Sequence, residues 1–195
     1  VSLARSGEVD TLMKGSLHTD EIMAAVLSTQ GGLRTERRVS HVFVMDVPAY
    51  DRILFVTDAA INIEPSLKEK ADIAQNAIDL ARSLGIETPK VAILSAVEMV
   101  NPDINSTIDA AALCKMADRG QIRGAVLDGP LAFDNAISEI AARTKSIHSP
   151  VAGRADILLV PNIEPGNMLA TQLQYFAGAD SSGIVLRARV PVILT

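Results

Sequence analysis

Residues capable of chemistry fall in four short segments, and the first runs from Lys14 to Thr19. Gly15 permits close backbone approach, Ser16 and Thr19 supply hydroxyl groups, and Lys14 or His18 could add positive charge. A helix pattern begins at Thr19, so unpaired N–H groups and the positive end of the helix dipole would face this loop. The combination predicts a phosphate cradle. A capped turn explains the same residues, and the spacing matches neither the P-loop nor the dinucleotide fingerprint.

The second segment, from Thr57 to Asn62, follows an apolar run. It places a carboxylate, Asp58, and a carboxamide, Asn62, at the carboxyl end of a predicted strand, where open parallel sheets bind ligands. One interpretation is a cluster that positions a substrate. The alternative is that both side chains satisfy backbone groups of a turn, as Asp and Asn commonly do.

The third segment, from Asp128 to Ala136, follows a predicted strand and contains a Gly-Pro turn. Its carboxylates, Asp128 and Asp134, lie six residues apart and are followed by Asn135. Two carboxylates at this spacing could serve acid–base chemistry or bind a divalent metal. An aspartate in a turn and another at a helix N-cap explain them equally well.

The fourth segment runs from Pro161 to Met168 and carries Gly166 and Asn167 where the pattern predicts that a helix begins. An anion, or the polar group of a nucleotide, could bind at such a position. We expect all four segments to lie at one edge of the sheet.

The remaining reactive side chains give weaker signals. The three histidines, His18, His41 and His148, lack the spacing of metal ligands. Cys114 lies on an apolar helix stripe, so buried filler is a better interpretation than a nucleophile. No Gly-x-Ser-x-Gly motif of a serine hydrolase occurs.

Three arginines, Arg34, Arg37 and Arg38, form a basic run. A solvated surface run is the default interpretation. A phosphorylated ligand could still bind one of them.

Short apolar runs that alternate with amphipathic stretches must position these segments. The predicted strands are Thr11–Met13, Val39–Val47, Arg52–Thr57, Val91–Leu94, Gly124–Leu127, Ile157–Val160, Ser182–Val185 and Val192–Leu194. The predicted helices are Thr19–Leu27, Ser66–Leu84, Ser106–Gly120 and Asn167–Ala177, with Ser106 or Thr107 as the cap of the third. This alternation predicts an α/β fold with a mostly parallel sheet. The short turn Pro48–Asp51 permits only an antiparallel pair, so we expect the sheet to be mixed.

Composition limits the class of protein. The chain has 195 residues and a net charge of −5, which argues against general binding of nucleic acid or membrane surfaces. No apolar run approaches the ~20 residues of a membrane span, and no secretion signal is visible. The single cysteine excludes an internal disulfide framework and favours the cytoplasm.

Taken together, the four segments and the connecting Ser149–Gly153 resemble the phosphate acetyltransferase and butyryltransferase family. They occur in the family's order and spacing over all 195 residues. Details favour the butyryltransferase-like branch, including the form fused behind a hydratase-like domain. The resemblance implies an isocitrate and isopropylmalate dehydrogenase-like α/β fold, with two domains and the active site in the cleft between them.

The resemblance also implies the chemistry: reversible transfer of a short acyl group, acetyl or butyryl, between coenzyme A and inorganic phosphate. It implies acyl-CoA, phosphate and acyl phosphate as substrates, with no tightly bound cofactor and no metal. It implies a homodimer as the assembly.

In the family an Asp deprotonates the thiol of coenzyme A, and a Ser-Arg pair stabilises the transition state. The resemblance places these residues after Thr195, so we expect residues 1–195 to lack the family's C-terminal segment. By the same comparison we expect them to lack the family's N-terminal third. No residue shown can then be assigned a catalytic role. The positions carried over as substrate-binding are Gly15, Ser16, His18, Thr19, Asp58, Asn62, Asp134, Asn135, Gly166 and Asn167.

Two other functions remain open. A truly truncated chain would be a non-catalytic fragment that binds coenzyme A or phosphate. A metal-dependent decarboxylating dehydrogenase would need clustered aspartates, and the matched motifs argue against it.

Overall fold

The computed structural model describes residues 1–194. Within that range the helices are α1 (Ser2–Ser6), α2 (Thr19–Leu27), α3 (Leu67–Ser83), α4 (Asn105–Asp118), α5 (Phe133–Ile137), α6 (Glu139–Thr144) and α7 (Ile163–Tyr175). The strands are β1 (Leu12–Met13), β2 (Ser40–Asp46), β3 (Leu54–Thr57), β4 (Lys90–Leu94), β5 (Val126–Leu131), β6 (Ile157–Leu159), β7 (Asp180–Leu186) and β8 (Val192–Leu194). Each predicted strand is present, although several boundaries move.

All these strands join one sheet in the order β1-β8-β7-β2-β3-β6-β4-β5. The pairs β1/β8, β3/β6, β6/β4 and β4/β5 are parallel. The pair β2/β3 is antiparallel, as the short turn predicted, and β7 adds two antiparallel pairings, with β2 and with β8. The mixed, mostly parallel α/β sheet is therefore confirmed. The division into two domains with a cleft between them stays a prediction.

Alternation along the central strands separates the apolar core into two layers. In β6, Ile157 and Leu159 pack with α3 and α4, whereas Leu158 packs with helices α5 to α7 on the other face. Both faces are covered, which explains why the sequence of this strand is continuously apolar. A third apolar cluster, around Val26 and Val192, packs α1 and α2 at the β1–β8 end of the sheet.

Helix α3 illustrates how local sequence fixes an element. Ser66 is the N-cap, and its hydroxyl accepts a hydrogen bond from the N–H of Glu69 while the Glu69 carboxylate accepts from the N–H of Ser66. This capping box starts the helix, and Gly85, with φ of 97°, follows its end.

Strand β5 runs further than expected. It continues through Gly129 and Pro130 to Leu131, which pairs with Leu94 of β4. The Gly-Pro pair had indicated a turn. A Cβ atom at Gly129 would lie 2.7 Å from the carbonyl oxygen of Ile93, so glycine lets the two strands approach closely.

Helix boundaries also differ in three places. Helix α7 begins at Ile163, capped by Asn162, instead of at Asn167, because a proline in the first turn lacks only an N–H that has no intrahelical partner anyway. Helix α4 is preceded by Ile104, so neither Ser106 nor Thr107 caps it. Helices α5 and α6 lie outside the four predicted helices. The N-cap of α5 is Ala132, so Asp134 lies in its first turn and is not the helix N-cap that one interpretation offered.

The strand directions decide which loops can meet. Strands β3, β4, β5 and β6 are parallel, so their carboxyl ends form one row along the sheet. We call this row of strand ends the β3 edge, and the term does not refer to an outermost strand. Strand β2 is antiparallel to β3, β7 to β2, and β8 to β7, and β1 is parallel to β8. Therefore β1 ends at the opposite edge, which we call the β1 edge. The expectation that all four segments lie at one edge was wrong for the segment that contains Gly15.

Candidate functional site

Asp58 lies at the β3 edge, immediately after β3, and only 3% of its surface is exposed. Its Oδ1 accepts hydrogen bonds from the N–H groups of Ala60 and Ile61, each at 3.0 Å. Its Oδ2 accepts from the N–H of His41 at 3.2 Å and from Nδ2 of Asn62 at 2.5 Å. Burial raises the pKa of Asp58, while these four N–H donors act in the opposite direction. A carboxylate with four donors has little capacity left to act as a base.

Asn62 connects the Asp58 carboxylate to the guanidinium group of Arg38. Its Nδ2 also donates to the carbonyl of Val39, and its Oδ1 accepts from Nε of Arg38 at 2.6 Å. A second fixed contact joins Nη1 of Arg38 to Glu69 at 2.9 Å. Asp58 and Asn62 thus satisfy the turn, as the simpler interpretation held, and also hold Arg38 in one orientation.

Arg38 faces a cleft of about 470 Å³, which we call the arginine cleft. Its charged lining consists of Arg34, Arg37, Arg38 and Lys68 with Glu36, Glu69 and Asp72. Four cations against three carboxylates give the lining a charge of about +1 in a chain of net charge −5. The arginine run is therefore part of a concave surface and not a simple solvated stretch.

Two cations of the arginine cleft carry no compensating partner. Arg37 pairs with Asp79 at 2.8 Å and Arg38 with Glu69. The side chains of Arg34 and Lys68 make neither an ion pair nor a hydrogen bond with residues 1–194. These two groups are available to an anion.

Residues Gly166 and Asn167 contact the Asp58 turn from helix α7, which follows the neighbouring strand β6. They lie in α7 beyond its first three residues and not at its start, which corrects their expected position. Nδ2 of Asn167 donates to the carbonyl of Ala59 at 3.3 Å. A Cβ atom at Gly166 would lie 3.2 Å from Ala59, so glycine allows this close approach. The second and fourth segments therefore meet at the β3 edge.

Asp134 and Asn135 belong to helix α5 and not to the expected loop. Asp134 is half exposed and lies 3.5 Å from Nζ of Lys145. Asn135 is fully buried; its Nδ2 donates to Glu98 at 3.3 Å, and its Oδ1 has no hydrogen-bond partner among the described residues. The contacts of this pair are with Glu98 and Lys145, separate from the Asp58 network.

The Gly15 segment lies at the β1 edge. Gly15, Ser16 and His18 are exposed, and Nζ of Lys14 donates to the carbonyls of Gly15 and Leu17. His18 is the N-cap residue of α2, and its N–H donates to Glu21 at 3.1 Å. Thr19 is the first helical residue, as predicted. The segment is a capped turn with an open surface, which leaves phosphate binding as a prediction.

Burial keeps two other reactive groups in their neutral forms. Burial lowers the pKa of His41 to about 4, so its imidazole is neutral at physiological pH. Burial also raises the pKa of Cys114 to about 12, which leaves no thiolate to act as a nucleophile. The sequence interpretation of Cys114 as filler is consistent with this.

Sequence reasoning missed Glu98, Lys145 and Lys68. Glu98 follows β4 and Lys145 follows α6, so a search of charged residues after each element would have found them. Their proximity to Asn135 depends on the packing of α5 against β4.

Residues 1–194 contain no group of three or more His, Cys, Asp or Glu arranged to hold a metal ion. In the same part of the chain, no helix is long and apolar enough to cross a membrane.

Comparison with known proteins gives consistent results. The family model described as Phosphate acetyl/butaryl transferase matches residues 1–193. The phosphate acetyltransferase of Rhizobium meliloti is 63% identical over 195 residues, and the match covers 100% of this chain and 62% of that protein. The chain thus spans about three fifths of the length of this curated relative.

Among solved structures, one resembles this chain in both sequence and fold, and another resembles it in fold alone. A branched-chain phosphotransacylase from Enterococcus faecalis V583 superposes with a TM-score of 0.89 at 36% identity, covering 100% of this chain and 69% of that one. The 4-hydroxythreonine-4-phosphate dehydrogenase of Klebsiella pneumoniae shares the fold alone, with a TM-score of 0.56 at 14% identity, covering 99% and 57% of the two chains. The likeness to a dehydrogenase fold is confirmed. The chain belongs to the phosphate acetyl/butyryl transferase family.

Proposed function

We propose that the protein transfers a short acyl group reversibly between coenzyme A and inorganic phosphate. The thiolate of coenzyme A attacks the carbonyl carbon of an acyl phosphate, a C–S bond forms, the C–O bond to phosphate breaks, and phosphate leaves with the electron pair. The observation that carries the proposal is the family match, which extends over residues 1–193.

The arginine cleft supports an anionic substrate independently of the family. Arg34 and Lys68 are uncompensated, and Arg38 is held by Asn62 and Glu69. Guanidinium groups fixed in this way suit phosphate oxygens, because the planar fork offers two parallel N–H donors. Positive charge also offsets the charge that develops on the acyl oxygen and on the leaving phosphate.

The site residues divide into groups with different proposed roles. Gly15, Ser16, His18 and Thr19 would contact the substrate from the β1 edge. At the β3 edge, Asp58, Asn62, Gly166 and Asn167 would hold the loops around the arginine cleft. Asp134 and Asn135 would order the neighbouring surface near Glu98.

The finer properties are proposals as well. We propose acetyl or butyryl as the acyl group, coenzyme A as a substrate and not a bound cofactor, and no requirement for a metal. We further propose a cytoplasmic homodimer that binds neither nucleic acid nor membranes.

The direct test is acyl exchange. The polypeptide as the cell makes it is mixed with coenzyme A and either acetyl phosphate or butyryl phosphate, and loss of free thiol is measured. We expect turnover that depends on the acyl phosphate, releases inorganic phosphate and is insensitive to EDTA. Binding of coenzyme A without turnover would instead favour the non-catalytic alternative.

Arg38→Gln tests the contribution of the arginine cleft. Loss of one charge-assisted contact predicts a roughly tenfold rise in KM for a phosphate-bearing substrate. Arg119→Gln, at an exposed position after α4, is the matched control and should leave KM unchanged. An unchanged KM in Arg38→Gln would remove the cleft from the proposed site.

A further inference from the structure

A second cavity, next to the arginine cleft, is lined by three arginines and no carboxylate. Arg5, Arg34 and Arg189 line this space of about 540 Å³, which we call the triple-arginine pocket. Its other lining residues are Ser28, Thr29, Gly31, Gly32 and Thr35. None of the three guanidinium groups makes an ion pair or hydrogen bond with the described part of the chain. The lining thus carries about three uncompensated positive charges.

Backbone contacts bring Arg34 and Arg189 together from distant parts of the sequence. Arg34 forms an antiparallel bridge with Ala188, and the N–H of Arg189 donates to the carbonyl of Leu33 at 2.8 Å. The hydroxyl of Thr35 donates to the carbonyl of Arg187 at 2.7 Å. These three contacts fix the main chain on two sides of the pocket.

Glycine at position 31 makes room for the third arginine. Gly31 has φ of +87°, a conformation that side chains rarely adopt. A Cβ atom there would collide with Nη1 of Arg5. The guanidinium of Arg5 therefore lies against bare backbone, inside the pocket that Arg34 and Arg189 also line.

The charge of the pocket limits what it can bind. Arginine stays protonated at any physiological pH, so the three groups cannot relieve their mutual repulsion by losing a proton. A ligand with several negative charges removes that repulsion. Phosphate groups also match the guanidinium fork in geometry, and the hydroxyl of Thr29 can donate to a further oxygen. The hydroxyls of Ser28 and Thr35 already donate to the carbonyls of Gln30 and Arg187.

The pocket is also placed to reach the two predicted substrate regions. Arg34 and Thr35 line both this pocket and the arginine cleft. Ser28, at the C-terminal end of α2, lines the pocket, and the Gly15 segment precedes the other end of the same helix. Nine helical residues span about 13 Å, a distance that an extended pantetheine arm can bridge.

We propose that the triple-arginine pocket binds the phosphates at the nucleotide end of coenzyme A. This rests on the proposed function, which makes coenzyme A a substrate. Coenzyme A carries a diphosphate and a 3′-phosphate, so it supplies the several charges that the pocket requires. A free polyphosphate has the same chemistry, and the experiment must separate these sources.

The first measurement is binding of adenosine 3′,5′-bisphosphate, which represents the nucleotide end alone, by titration calorimetry. Arg5→Gln and Arg189→Gln should each weaken binding roughly tenfold, the value of one charge-assisted hydrogen bond. Arg119→Gln should bind as the wild type does. Thermal unfolding of each variant checks that the fold is retained. Binding within twofold of wild type in both pocket variants, or no binding by the wild type, would overturn the proposal.

The second measurement separates the sources of phosphate. In the polypeptide as the cell makes it, Arg5→Gln and Arg189→Gln should raise KM for coenzyme A but not for acetyl phosphate. Pyrophosphate binding that is weakened in these variants, with an unchanged KM for coenzyme A, would identify a free polyphosphate and reject the nucleotide end. If the wild type shows no acyl exchange at all, the proposed function fails, and the calorimetry still decides what the pocket binds.

Discussion

At the scale of single residues, buried polar groups in the described part of the chain are held by hydrogen bonds to both backbone and side chains. Asp58 accepts four hydrogen bonds, one of them from Asn62. Asn62 in turn accepts a hydrogen bond from Arg38. His41 stacks edge-on against Phe43 at 4.4 Å, with its Nδ1 unpartnered within the described residues. Such groups influence stability strongly, because a buried polar group that loses its hydrogen bond finds no water in the dry interior to replace it.

Asp58→Asn tests the four-donor arrangement. An amide nitrogen would replace one acceptor and face N–H donors, so we expect the free energy of unfolding to fall by about 2–4 kcal/mol. Urea denaturation measures it. Asp134→Asn, at a half-exposed position, is the control and should change stability by less than about 0.5 kcal/mol. Equal effects at the two positions would contradict the role assigned to Asp58.

His41 should make stability depend on pH. Its pKa is about 4 in the folded protein against 6.5 as the ordinary value, so the unfolded chain binds the proton first as the pH falls. Stability is fully present above pH 6.5 and should decline between pH 6.5 and 4 by about 3 kcal/mol.

The measurement is urea denaturation from pH 7 to pH 4. The pH-dependent loss should be smaller in His41→Gln by that amount, whereas His148→Gln, at an exposed position, should follow the wild type. Identical pH profiles for His41→Gln and the wild type would show that His41 titrates normally.

At the scale of elements, glycine decides how closely strands and helices approach. In β7, Gly183 faces His41 of β2, and a Cβ atom there would lie 2.6 Å from Nε2 of the imidazole. In α7, Gly166 brings the helix against Val160 and Ala59. The Asp58 turn therefore depends on close packing from two neighbouring elements.

Gly183→Ala should crowd the buried imidazole and destabilise the protein by about 1–3 kcal/mol, the usual cost of overpacking. Gly15→Ala is the matched control, because a Cβ atom at Gly15 meets nothing within 4 Å. Thermal or urea denaturation compares the two. Similar stability in both variants would show that β2 and β7 can separate without cost.

At the scale of the whole molecule, one buried carboxylate joins three strands. The side chain of Asp156 is buried, and the residue is 2% exposed. Its carboxylate accepts hydrogen bonds from Nε and Nη2 of Arg52, at 2.9 and 2.6 Å, and Arg52 lies just before β3. The same carboxylate accepts a hydrogen bond from the N–H of Lys90 at the start of β4. Asp156 itself lies directly before β6. The centre of the sheet is thus fixed at the end opposite the arginine cleft.

Asp156→Ala should leave Arg52 and the N–H of Lys90 without a partner. Breaking a buried pair in this way costs about 3–5 kcal/mol, and partial exposure of Arg52 favours the lower end. Asp118→Ala removes an exposed pair with Lys115 and should have no measurable effect. A loss as small as that of the control would mean that Asp156 is not a junction of the sheet.

The sequence by itself determined the eight strands, the mixed sheet and the family, because apolar alternation, helix caps and loop motifs are local signals. It placed Thr19–Leu27 correctly and located Asp58 and Asn62 at the end of a strand. It placed the end of β5 and the start of α7 wrongly, since Gly-Pro and Pro-Gly pairs are tolerated where packing or an N-terminal turn accommodates them.

Only the tertiary structure decided which of these segments meet. Strand direction puts the Gly15 segment at the β1 edge and Asp58 at the β3 edge, and no local pattern encodes the antiparallel pairings of β7. The grouping of Arg5, Arg34 and Arg189 likewise depends on bridges between distant residues. Local sequence fixes backbone conformation, whereas the direction and order of strands follow from burying apolar faces across the whole chain.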